Sequence, residues 1–126
     1  MTGDVTVESG IKLTIQPGVA VRTAPCDDRQ SGNDGSRVEL IVRGTLDAEG
    51  TSGSGIAFDS GVSSPSPGDW YGIRFESTAN SVACKLSYVT IQHVATGLTL
   101  NGVSPSIDHV TVQSLSQYGI QGYTSP

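Results

Sequence analysis

Val89-Thr90-Ile91-Gln92 returns as Val110-Thr111-Val112-Gln113, a step of 21 residues, and the reading of that echo decides the fold. A second phrase repeats in the same region. Gly72-Ile73-Arg74-Phe75 is followed by Gly97-Leu98-Thr99-Leu100 and Gly119-Ile120-Gln121-Gly122, at steps of 25 and 22 residues. Both phrases alternate apolar with polar residues, the period of a strand with one buried face. The same alternation occurs earlier in Val5-Thr6-Val7, Leu13-Thr14-Ile15, Val19-Ala20-Val21, Leu40-Ile41-Val42 and Ile56-Ala57-Phe58. It assigns Val7, Ile15, Val42, Phe58, Phe75, Ile91, Leu98 and Val112 to one inward face. Thr, Arg and Gln between them are expected to face water.

Strands this short, broken by Gly, Pro, Asn and Ser, cannot bury their apolar face alone. A repeat of about 22 residues lets each strand pair with its equivalent one turn of chain away, in an all-β parallel solenoid of about five coils. A helix over 73–96, which holds no Gly or Pro, is the competing reading, because Val82, Leu86, Val89 and His93 fall at helical spacing. The β-branched run Val89-Thr90-Ile91 and its copy 21 residues later favour strand.

A chain of 126 residues fits one domain, 1–126. Sixteen glycines and a charged fraction of only 15% suit short strands and turns. Seven basic against twelve acidic residues leave no basic footprint for nucleic acid, and no apolar run is long enough for membrane insertion as a helix. Two segments leave the repeat, 23–37 and 60–69, and are expected as loops inserted at coil corners.

Taken in order, Leu13-Thr-Ile-Gln-Pro-Gly-Val19, Val42-Arg-Gly-Thr-Leu46, Ala48-Glu-Gly50, Gly68-Asp-Trp-Tyr-Gly-Ile-Arg-Phe75, Tyr88-Val-Thr-Ile91 and Gly97-Leu98 span nearly the whole chain. This wording resembles the pectin-lyase-like right-handed parallel β-helices, particularly the repeat modules of secreted and surface-attached bacterial proteins. The resemblance implies a right-handed solenoid, an extracellular or cell-surface setting, and a structural or binding module in contact with carbohydrate. It equally admits part of a polysaccharide lyase or glycoside hydrolase. Gly119-Ile-Gln-Gly-Tyr123, followed only by Thr-Ser-Pro, reads as an interrupted coil. The expectation is an N-terminal fragment of a longer solenoid that self-associates through its exposed C-terminal coil.

Enzymes of that family gather carboxylates on one sheet face, and the aligned phrases show no stacked pair, so no catalytic residue is assigned. The expected ligand contacts are Asp69, Trp70, Tyr71, Arg74, Thr99 and Gln121, with Trp70 and Tyr71 as an aromatic platform for a sugar ring. Asp27, Asp28, Asn33 and Asp34 form an oxygen-rich loop suited to Ca²⁺, the only cofactor considered, although their spacing matches no established calcium motif. Cys26 and Cys84 are the one available disulfide pair. His93 aligns with Ser114 and His109 with Tyr88, and both histidines are expected at the surface.

Overall fold

The computed structural model describes residues 5–23, 38–79 and 83–123. These form eleven strands and, among the described residues, no helix: β1 (Val5–Val7), β2 (Lys12–Ile15), β3 (Ala20–Thr23), β4 (Glu39–Val42), β5 (Thr45–Glu49), β6 (Ile56–Ser60), β7 (Gly72–Phe75), β8 (Lys85–Gln92), β9 (Thr96–Asn101), β10 (Ser106–Gln113) and β11 (Tyr118–Tyr123). One sheet runs β1-β4-β7-β9-β11. The other holds β2, β5, β8, β6 and β3, with β10 on β8, and every pairing in both sheets is parallel. The segment weighed as helix is strand at β7 and β8, while Val82 lies outside the described residues.

The expected right-handed solenoid of about five coils is not what forms. The strands lie in two flat parallel sheets instead of one solenoid. No constant coil length links them: 35 residues separate Val5 from its partner Leu40, 33 separate Leu40 from Ile73, 25 separate Ile73 from Leu98 and 22 separate Leu98 from Ile120. The period near 22 belongs to the last third of the chain. Further, β8 pairs with β10 along its whole length, so β5 and β6 share its other edge, at Lys85–Ser87 and Val89–Ile91 respectively. One long strand thus covers two short ones.

Register explains how one apolar core forms. The first sheet carries the rank Val5–Leu40–Ile73–Leu98–Ile120, and the second carries Val21–Phe58–Ile91–Val112. Leu40, Phe58, Ile73, Phe75, Ile91 and Leu98 are fully or almost fully buried, each contributing about 1.5–3 kcal/mol relative to exposure. Trp70 caps this core at a corner. Its ring stacks on Phe58 with centroids 6.3 Å apart, and its Nε1 donates to the Gln92 carbonyl at 2.9 Å.

Strict alternation breaks at one place in β8 and again in β10. Leu86 and Val89 are three positions apart and both buried, because Tyr88 takes φ 51° and resets the pleat. His109, at φ 52°, does the same between Ile107 and Val110. In the preceding rank the same corner is taken by the turn 50–55, where Thr51 and Ser54 exchange backbone hydrogen bonds of 3.0 and 3.1 Å. A whole turn is therefore replaced by one left-handed residue.

Candidate functional site

The expected ligand residues are held in three ways. Trp70 is completely buried, so neither of its faces is open to a sugar. The alternation that placed it beside Tyr71 on a strand leaves Tyr71 half-buried and turns Trp70 inward. Asp69 is a turn residue whose Oδ2 accepts the Ser66 amide at 2.9 Å. Arg74, Thr99 and Gln121 do form one rank, as the aligned phrases predicted. The solvent-facing part of that expectation fails, since Arg74 is 8% and Thr99 2% exposed.

Arg74 has a structural role instead. Its Nε meets Glu39 Oε1 at 3.1 Å and a terminal guanidinium nitrogen meets Glu76 Oε1 at 2.7 Å, while Asn101 Nδ2 donates to Glu76 Oε2 at 3.0 Å. β4, β7 and β9 are tied together by this chain of bonds. With Glu39 fully buried, removing Arg74 would take one charged partner from a buried carboxylate, a destabilising change.

Asp27, Asp28, Asn33 and Asp34, expected as Ca²⁺ ligands, and also Cys26, lie outside the described residues. Among the described residues, no three His, Cys, Asp or Glu side chains gather as a metal site. Cys84 is a free, buried thiol. It accepts the Leu46 amide at 3.5 Å and donates to the Gly44 carbonyl at 3.6 Å.

The histidines occupy the repeat positions read from the sequence, but only one is a surface side chain. His93 and Ser114 share left-handed backbone, at φ 56° and 53°, one residue past the paired Gln92 and Gln113. His93 is mostly buried, and its Nδ1 lies 2.6 Å from Asp59 Oδ1. His93 and Ser114 thus hold equivalent positions, while Asp59, one residue past the Phe58–Ile91 pair, reaches His93 through its side chain. The Asp59–His93 contact is made, and among the described residues Ser114 supplies no hydrogen bond to complete a nucleophilic set.

His109 is exposed, paired with Asp108 at 2.9 Å, and stacked on Tyr88 with ring centroids 4.4 Å apart and planes 7° from parallel. The left-handed corners put these two rings in register. They line an open groove of about 390 Å³ with Thr51, Ser52, Thr90 and Thr111. The turn 50–55 forms one wall, and the Tyr88 carbonyl packs close to Gly50 and Gly55, at 3.0 and 3.2 Å from where a Cβ would stand. Among the described residues β10 pairs only with β8, so no described strand lies beyond the face of His109 away from Tyr88. The groove therefore combines hydroxyl donors and acceptors with one open aromatic face.

A carboxylate pair also escaped the aligned phrases. Asp47 and Glu49 sit two apart on the outer face of β5, and the hydrogen bond that a protonated Glu49 donates to Asp47, together with the negative charge of Asp47, raises the Glu49 carboxyl above its ordinary 4.5. Lys12, 3.5 Å from Asp47, and Lys85, opposite Asp47 on β8, oppose that rise. The pair was invisible between coils because it lies along one strand. Its sequence signal was Asp47-Ala48-Glu49 in an alternating run. Likewise the groove's signal in the sequence is the aromatic echo of Tyr88 in His109. No protein-family model, curated protein or solved structure matches the chain.

Proposed function

We propose that the chain is a non-catalytic binding module whose groove at Tyr88 and His109 contacts carbohydrate. The observation that carries this reading is the stacked ring pair with its outer face open, flanked by Thr51, Ser52, Thr90 and Thr111. A sugar ring offers C–H groups to an aromatic face and hydroxyls around its rim, the two kinds of contact that this groove holds. The resemblance of the sequence phrases to bacterial secreted and surface modules is the ground for proposing an extracellular or cell-surface setting. It does not select a particular glycan.

Titration calorimetry against neutral glycans and polyuronates tests the reading. Binding without turnover is expected, weakened about three- to tenfold by His109→Ala or Tyr88→Ala, the worth of one stacking contact. A Ser63→Ala control in the remote loop should bind as the parent does. Absence of binding to every glycan, or binding indifferent to both ring substitutions, would overturn the proposal. Product release abolished by Asp47→Asn or Glu49→Gln would instead favour a polysaccharide-cleaving enzyme built on the carboxylate pair.

A further inference from the structure

Six large apolar side chains stand exposed among the described residues: Val5, Ile11, Val19, Ile107, Tyr118 and Ile120. They divide evenly between the two ends of the molecule. Val5, Ile11 and Val19 lie in or beside β1, β2 and β3, which form one boundary of both sheets. Ile107, Tyr118 and Ile120 belong to β10 and β11, the opposite boundary. The long sides of the sheets carry none. Monomers ordinarily blunt such edges with charge or proline, yet β10 and β11 contain Asp108 as their one formally charged carboxylate and no Lys or Arg.

From these two boundaries we infer that copies of this chain stack head to tail, β10 and β11 of one against β1, β2 and β3 of the next. The ranks already present specify the register. Continuing Val5–Leu40–Ile73–Leu98–Ile120 by one step places Val5 of the next copy on Ile120. Continuing Val21–Phe58–Ile91–Val112 places Val21 on Val112. Ile15–Ala48–Leu86–Ile107 places Ile15 on Ile107. Apolar meets apolar in these three ranks, and Val7 meets the small Gly122 in a fourth.

Strand lengths and charge agree with the same occupant. β8 already covers the two short strands β5 and β6 on one edge, so an eight-residue β10 fits two short strands, β2 and β3, in the same way. Glu8, Lys12 and Arg22 at one boundary face an end whose one carboxylate is Asp108, so no basic residue opposes another. Since all existing pairs are parallel, the docked copy is related by translation and leaves a fresh end. Such a heterologous contact is open-ended, unlike a two-fold dimer.

The stacking does not rest on the carbohydrate reading, although the turn after β2 of a docked copy would reach the open face of His109. The test is sedimentation velocity of the glycan-free chain from about 1 µM to 1 mM, a range that spans the weak end of specific interfaces. Expected is a mass that climbs past twice 13.0 kDa with concentration. Val5→Asp and Ile120→Asp, both at exposed positions, should each remain monomeric, with circular dichroism and melting temperature matching the parent's at about 1 µM reporting that they fold. Mixed together, they should form a 1:1 dimer that grows no further, because each retains one intact end. A parent monomeric throughout, a Val5→Asp or Ile120→Asp variant that still dimerises alone, or a mixture that stays monomeric would each overturn head-to-tail stacking.

Discussion

A Cβ added to Gly72 would stand 1.7 Å from the Thr96 carbonyl oxygen, on a residue already at φ 133°. Gly72 opens β7 at the point where the chain turns off the Trp70 corner, and Thr96 opens the neighbouring β9. Neither backbone can yield without breaking the Tyr71 and Thr96 amide bonds to Val38 and Tyr71 carbonyls, at 2.8 and 2.9 Å. Gly72→Ala is therefore expected to cost more than about 3 kcal/mol in urea unfolding, since a strained dihedral and a backbone clash add. Gly10 provides the control. It has φ 82° but open space around its missing Cβ, so Gly10→Ala should lose only about 1 kcal/mol, the dihedral part alone. Equal losses at the two sites would show that crowding at Thr96 is not what requires glycine.

At the scale of the element, four non-glycine residues in left-handed backbone mark the corners of β8 and β10: Tyr88, His93, His109 and Ser114. Ser114 is exposed, so its substitution isolates backbone preference from packing. Ser114→Val should destabilise by about 1–2 kcal/mol, because a branched Cβ crowds the carbonyl in this conformation, while Ser114→Gly should be neutral or slightly stabilising. Thermal melts of the two variants decide it, and a Val variant as stable as the Gly variant would refute the corner assignment. These corners also show what the sequence could disclose. The pairing of Val89-Thr90-Ile91-Gln92 with Val110-Thr111-Val112-Gln113 was legible because side-chain identity alternates with burial. The corner geometry was not, since Tyr, His and Ser carry no left-handed signature comparable to glycine's. Nor was the change from two short strands to one long one, which depends on the turn 50–55 in one rank being replaced by Tyr88 in the next. A period near 22 residues, extrapolated from the last third to the whole chain, therefore points to a solenoid where two sheets form. The outer face of the first sheet misled for a related reason: polarity at Arg74 and Thr99 predicted water, whereas Arg74 is buried between Glu39 and Glu76.

Across the whole molecule, burial is concentrated in the middle of the first sheet and thins toward β10 and β11. Every residue of β4 and β7 is buried, as are the first four of β9, whereas five consecutive positions from Ser106 in β10 include four exposed ones. Val110, Val112 and Leu115 are only partly covered, so this end has less apolar contact to hold its ladder closed. Local opening follows such contact density. Amide exchange at low protein concentration should therefore find β4, β7 and β9 opening only with global unfolding, and β11 exchanging at least about tenfold faster than β9 against which it pairs. β10 should follow β11 on its outer-edge amides, while its amides bonded to β8 exchange more slowly. The gradient has a second, concentration-dependent part. If the end of one copy is covered by the start of the next, protection of β10, β11 and β1 should rise together as concentration increases, with β4 and β7 unchanged. Protection that is uniform along the first sheet at every concentration would contradict both the burial gradient and the open-edge behaviour derived from it.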